Sequence, residues 1–217
     1  MASKLVGRRA VVVGAGIGGL AAARALVDHF EQVVVLERDM LPLDAGHRSG
    51  TPQSKHLHVL LAGGLRALNE LFPGFEQDLV QAGAVPLRAT TDLRMELPGF
   101  HPFPSIDLGW NTYSMSRPLL ERVVRKCLQR NSRITLHLGC RVREFVSSVD
   151  HTAITAVVYE NSDGSSETKA ADLVVDASGR GMLTPNLLNM IGQKLPEETP
   201  TGKLIMPCTW KSTFLCS

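Results

Sequence analysis

Val11-Val12-Val13-Gly14-Ala15-Gly16-Ile17-Gly18-Gly19-Leu20 decides the fold of this 217-residue chain. A β-branched run without polar alternation predicts a parallel strand buried on both faces. It runs into a glycine turn, and the turn opens an alanine-rich segment where Leu20, Ala23 and Leu26 keep helical spacing. Gly14, Gly16 and Gly19 have the G-x-G-x-x-G spacing of a dinucleotide site. Gly14 permits the tight turn, Gly16 lets the backbone approach a pyrophosphate, and Gly19 lets helix and strand pack closely. The helix start adds N–H groups and a positive dipole end for the phosphates.

Working outward, Val33 to Leu36 predict a second strand, ending at Glu37. That carboxylate lies about 20 residues beyond the turn, where a ribose-binding acid belongs. Pro42, Gly46, Gly50 and Pro52 punctuate a loop over 38–55, from which Arg38 and Arg48 can reach a bound dinucleotide. Arg38, directly after Glu37, is open to two readings: a 2′-phosphate contact or a solvated surface charge.

Apolar residues from Leu57 to Phe72 recur at helical spacing, so one helix is expected there, stopped by Pro73-Gly74. A short helix is expected over 75–81. His56 and His58 share a face only on a strand and have no third ligand in view, so no metal site is expected. Residues 84–115, rich in proline and aromatics, predict edge strands and loops that either line a pocket for an apolar ligand or pack on the core. Ser116 reads as an N-cap with Pro118 in the first turn of a helix carrying the stripe Leu119, Leu120, Val123, Val124, Cys127 and Leu128. Arg117, at its start, is either near ligand phosphates or a plain surface charge.

Residues 133–176 are β-rich. Ile134, Leu136 and Leu138 alternate, Val142, Phe145 and Val149 follow Gly139, and Asp163-Gly164 is a hairpin signal. Leu173-Val174-Val175-Asp176 predicts a second buried parallel strand, and Ala177-Ser178-Gly179 a small-residue turn where backbone can again approach a cofactor. Leu183, Leu187, Leu188 and Ile191 allow one short helix.

The totals are those of a soluble globular protein: 44% hydrophobic and 20% charged residues, with a net charge of +2 that gives no reason to invoke nucleic acid. No stretch is long and uncharged enough to cross a bilayer, so no transmembrane segment is expected. Cys127, Cys140, Cys208 and Cys216 lack metal spacing, and a reducing, cytoplasmic location fits them best.

Four stretches together resemble a known family: the glycine turn through Glu37-Arg38; Arg48-Ser49-Gly50-Thr51-Pro52-Gln53-Ser54-Lys55-His56-Leu57-His58; Ser116-Arg117-Pro118-Leu119-Leu120-Glu121; and Asp172 to Arg180. In their order and spacing the chain resembles FAD-dependent monooxygenases of the p-hydroxybenzoate hydroxylase superfamily, nearest to the squalene-epoxidase-like and polyether-epoxidase-like branch.

The resemblance implies an α/β, Rossmann-like FAD-binding domain with a parallel sheet and a β-meander. It would occupy residues 1–181, with 84–115 an insertion toward the substrate side and 182–217 the incomplete start of a substrate domain. Gly14, Gly16 and Gly19 would hold the FAD pyrophosphate and Glu37 the adenosine ribose. Arg38, Arg48 and Arg117 would lie along the cofactor. Val142 would meet the adenine through its backbone, and Asp176 to Gly179 would form the second approach loop. This settles Arg38 toward FAD.

The implied reaction inserts one oxygen atom from O2 into a small apolar organic substrate through a flavin C4a-hydroperoxide, with NAD(P)H as co-substrate. The flavin carries that chemistry, so no catalytic side chain is nominated. The family's later G-D motif is absent from the sequence. A partner-dependent or non-catalytic FAD-binding fragment, completed by a second chain, is therefore an alternative. A flavin reductase of the geranylgeranyl-reductase type is another.

Overall fold

A computed structural model describes residues 5–42, 44, 46, 57–93, 96–179 and 181–197. Its centre is a four-stranded parallel sheet of β1 (Gly7–Val13), β2 (Phe30–Glu37), β6 (Ile134–Leu138) and β10 (Leu173–Asp176), in the order β10-β1-β2-β6. Helix α1 (Ile17–Leu26) makes the crossover from β1 to β2.

The unbroken apolar runs of β1 and β2 follow from a sheet covered on both sides. Successive side chains of a strand point to opposite faces. Ala10, Val12, Val33 and Val35 therefore face a helical layer of α1, α2 (Ala62–Leu71), α3 (Phe75–Gln81) and α4 (Arg117–Gln129). Val11, Val13, Val34 and Leu36 face the other way, onto Val142, Phe145, Val157 and Tyr159 of an antiparallel meander. That meander is β7 (Arg141–Ser147), β8 (Ile154–Glu160) and β9 (Ser166–Ala170). Each fully buried valine contributes about 1.5–3 kcal/mol relative to an exposed one. A polar residue at either parity would face a dry layer.

A third, antiparallel sheet holds β3 (Leu57–Leu60), β5 (Asn111–Ser116) and β4 (Val85–Arg88) in the order β3-β5-β4. It corrects the single helix expected from Leu57. Residues 57–60 pair antiparallel with 113–116, Leu61 remains extended, and the helix begins only at Ala62. Three leucines spaced 57, 60 and 61 suit either conformation, and the distant strand β5 decides between them. The short helix over 75–81 and the turn at Asp163-Gly164 form as expected; of the edge strands expected within 84–115, β4 is one, but β5 is the central strand of its sheet, paired on both sides.

Helix α4 starts as its sequence dictates. Ser116 Oγ accepts from the Leu119 N–H at 3.3 Å, Pro118 fills the first turn, and Leu120, Val123, Val124, Cys127 and Leu128 are buried. Three details of the β-rich region differ from expectation. β6 joins the parallel sheet beside β2, outside the meander. β10 is an edge strand and only half-buried, because no strand covers its outer side among the described residues. Val149 lies past the end of β7 in the turn to β8 and is fully exposed. The last helix among the described residues, α5 (Leu183–Met190), packs Leu183 and Leu187 on the meander side of the core. Among the described residues no helix is long and apolar enough to cross a membrane.

Candidate cofactor site

The C-terminal ends of β1, β2 and β10 open onto one cleft of about 420 Å³. In open parallel sheets this is where ligands bind, because the crossover helices leave a crevice there. The turn after β1 forms its floor. Gly14 has φ +98° and donates its N–H to the Leu36 carbonyl at 2.8 Å. A Cβ on Gly14 would meet the Ala177 carbonyl oxygen at 2.5 Å, so the turn and the loop after β10 touch through backbone alone. A Cβ on Gly19 would collide with the Gly14 carbonyl, which is the close helix–strand packing its spacing predicts.

Gly16 is the extended N-cap of α1, whose first regular bond runs from Leu20 N–H to the Gly16 carbonyl at 2.9 Å. The first turn has no acidic residue and no side-chain cap, so its leading N–H groups have no intrahelical partner. Gly18, which lines the cleft, has open space where a Cβ would stand.

Glu37 closes β2 and is one of the few buried charged side chains, 4% exposed. Its carboxylate accepts from the Ala15 N–H at 2.6 Å and from the Asp39 N–H at 2.9 Å, tying the glycine turn to the loop after β2. Arg38 also lines the cleft and is half exposed, its guanidinium 3.9 Å from Asp39. Across the cleft, Cys140 donates its N–H to the Glu37 carbonyl at 2.9 Å, and this carries Val142 to the wall. Burial pushes the Cys140 thiol up, aided by the nearby Glu167 carboxylate.

The loop after β10 is folded by Asp176. One carboxylate oxygen accepts from Ser178 N–H at 3.0 Å and Ser178 Oγ at 2.6 Å, and the other accepts from Thr184 Oγ1 at 2.7 Å. Burial opposes the charged form, but these hydrogen bonds outweigh it and hold the carboxyl below the usual carboxylate range. Asp176 thus shapes the loop, while Ala177, Ser178 and Gly179, the last with φ +76°, line the cleft.

Of the residues singled out in the sequence, Gly14, Gly16, Glu37, Arg38, Arg117, Val142 and Gly179 all line this cleft. Gly19 and Asp176 sit immediately behind its walls. Arg48 lies outside the described residues, as does His56, and His58 lies on β3 opposite Met115 and does not line the cleft.

Sequence reasoning missed Arg141 and Arg143, which line the cleft from β7, and Met182 and Asn186, which line it from α5 and the turn before it. The arginines flank Val142, and recognising β7 as a cleft wall was the signal that would have found them. Arg38, Arg117, Arg141 and Arg143 line the cleft with Glu37, and Arg38, Arg117 and Arg143 lie beside the carboxylates of Asp39, Glu121 and Glu160. Guanidinium donors at a cleft wall suit an anionic ligand.

A parallel sheet with a glycine turn, a capless helix start and an arginine-lined cleft defines a Rossmann-like nucleotide-binding protein. The FAD dependent oxidoreductase family matches residues 10–186, and the chain belongs to that family. It is 35% identical over 202 residues to "Protein Rv3254" of Mycobacterium tuberculosis, covering 87% of this chain and 41% of that protein. The chain therefore spans less than half the length of this curated relative.

Solved structures share the fold. The myxobacterial chondrochloren halogenase CndH superposes with a TM-score of 0.61 at 22% identity, over 82% of this chain and 39% of CndH. A mutant of Pseudomonas aeruginosa PqsL gives 0.59 at 18% identity, over 89% of this chain and 48% of that one. The flavin-dependent monooxygenase PieE, in complex with FAD and substrate, gives 0.58 at 17% identity, over 88% of this chain and 33% of PieE.

Proposed function

We propose that the cleft binds FAD through its ADP half, and that the protein is a monooxygenase of the squalene-epoxidase-like branch. It would insert one atom of O2 into a small apolar organic substrate, with NAD(P)H as reductant. The observation that carries this reading is the contact between the Gly14 turn and the Ala177–Gly179 loop. Together they bring two stretches of backbone into direct contact under an arginine-lined wall. The residues present fit a dinucleotide pyrophosphate, which needs N–H donors and positive charge at a surface free of Cβ atoms.

In this reading Gly14 and Gly16 admit the pyrophosphate and Gly19 seats the helix start beneath it. Glu37, already fixed by two backbone N–H groups, presents its carboxylate to the adenosine ribose. Arg38, Arg117 and, from the loop outside the described residues, Arg48 offset the phosphate charge. Val142 bounds the adenine end, and Asp176 holds Gly179 against the cofactor. Bound flavin supplies the redox and oxygen chemistry, and the protein orients it and excludes water. Residues 1–181, with α5 on the cleft wall, form the cofactor region, and the rest of 182–217 begins the substrate side. The buried thiols of Cys127 and Cys140 suit a cytoplasmic location.

The coverage of 41% of "Protein Rv3254" favours a second reading, in which residues 1–217 hold FAD but need further polypeptide, or a second chain, to turn over. Flavin absorbance of the purified chain, followed by NADPH-driven oxygen uptake, separates these. Bound FAD with oxygen uptake supports the monooxygenase, and bound FAD without uptake supports the partner-dependent form. NADPH oxidation that consumes no oxygen points to a flavin reductase. A chain that takes up no FAD refutes the cofactor reading.

A further inference from the structure

Helix α4 carries a buried charged ladder that packing alone does not explain. Glu121 is 2% exposed, and Arg125, one turn later, is 8% exposed. Arg117, one turn earlier, lines the cleft and donates from Nε to Glu121 Oε1 at 3.0 Å. Residues spaced by four share one helical face, so the three charges lie along a single line. Arg125 Nη2 donates to the Pro42 carbonyl at 3.0 Å, in the loop that follows Glu37 and Arg38. The ladder thus fixes an arginine at the cleft and, one turn further, the loop that borders it.

The Arg117–Glu121 step of the ladder is arranged against helix stability. An arginine in the first turn meets the positive end of the helix dipole, which disfavours it. An acid placed four residues after the base is the less favourable order for a helical ion pair. Ser116 already caps the helix, so Arg117 is not needed there. Burying a carboxylate is also costly unless it is held by charged or hydrogen-bonding partners. Three unfavourable features converge on one result: the guanidinium is held through Nε beside the cleft, and its two terminal amino groups have no partner among the described residues.

We propose that Glu121 is a positioning residue, orienting Arg117 so that its terminal amino groups serve the phosphates of the bound dinucleotide. The inference rests on the cofactor reading above. It makes a distinction that a merely structural role does not. Loss of Glu121 weakens ligands that carry phosphate and spares those that do not.

The test is equilibrium binding of ADP, adenosine and FAD to wild type, Glu121→Ala, Glu121→Gln, Arg117→Ala and the double variant Arg117→Ala/Glu121→Ala. Circular dichroism checks each fold. A charge-assisted hydrogen bond lost at the site corresponds to about ten-fold in affinity. Glu121→Ala is expected to bind ADP and FAD about ten-fold more weakly and adenosine as wild type does. Glu121→Gln, which keeps an acceptor, recovers part of the loss. The double variant is no weaker than Arg117→Ala, because the two residues act as one unit.

Unchanged ADP binding in Glu121→Ala, equal loss of adenosine, or additive losses in the double variant overturns the proposal. Should Glu121→Ala not fold, Glu121→Gln alone decides: a selective loss of about three-fold on ADP supports the proposal, and wild-type affinity overturns it. Wild-type protein that binds ADP but not FAD refutes the flavin assignment and leaves the Glu121 comparison on ADP to decide the inference. Wild-type protein that binds neither overturns both.

Discussion

Gly14→Ala adds one methyl group and tests the backbone contact directly. At φ +98° an L residue is strained, which costs about 1–3 kcal/mol. The new Cβ would lie 2.5 Å from the Ala177 carbonyl oxygen, 3.0 Å from the Ala177 carbonyl carbon and 3.3 Å from Ser178 Cα. Every one of these atoms is backbone, so no rotamer change relieves the contact. The loop after β10 must retreat by about half an ångström or more, and overpacking of this kind costs about 1–3 kcal/mol.

The two terms sum to about 2–6 kcal/mol, a large share of the 5–15 kcal/mol typical of a folded domain. With a urea dependence of about 2 kcal/mol per molar, the unfolding midpoint should fall by about 1–3 M. Because the same loop walls the cleft, FAD binding should be lost as well. The paired control is Gly18→Ala. It sits four residues on, in the first turn of α1, its Cβ meets nothing within 4 Å, and alanine there should stabilise the helix by about 0.5–1 kcal/mol. Equilibrium urea unfolding followed by circular dichroism reads both. A Gly14→Ala midpoint equal to wild type would falsify the close-contact account of the turn.

Three further outcomes are expected. Glu37→Gln turns one of the two oxygens that receive the Ala15 and Asp39 N–H groups into a donor. It should lose about 1–3 kcal/mol in thermal unfolding, and an unchanged Tm contradicts the bridging role. Asp176, held below the usual carboxylate range, lends stability that is complete above its ordinary value of 3.8 and fades as pH falls through the lowered folded value. Wild type should therefore lose Tm on acidification more steeply than Asp176→Asn, and parallel curves contradict this. Burial, with the Asp78 carboxylate at 3.3 Å, pushes the Cys127 thiol up to about 11. Its contribution is complete below the ordinary thiol value of 9 and lost as pH rises through about 11. Alkylation at neutral pH, mapped by mass spectrometry, should spare Cys127 and Cys140 until urea is added.

Much of the fold was legible because it follows from local rules. The start of α4 combines a serine cap, a proline and an apolar stripe, all within one helix, and the structure forms it as written. Where the sequence misled, two conformations suited the same residues and a distant partner chose. Leu57 to Leu60 became a strand because β5 pairs with it. The alternation in Ile134 to Leu138 said strand but not which sheet, and the exposed backbone edge of β2 supplied the answer.

The same division runs through the site. Sequence alone determined the glycine turn between a buried strand and a helix, and it determined that Glu37 closes the second strand, whose position follows from the length of a βαβ unit. Tertiary structure decided how those groups are held. It turned Asp176 inward to shape its own loop, set Arg141 and Arg143 on the cleft wall, and buried Glu121 behind Arg117. Spacing along a chain reports which groups share an element. Only packing between elements settles which of them face a common space, because that depends on strand order and on which side of the sheet each layer covers.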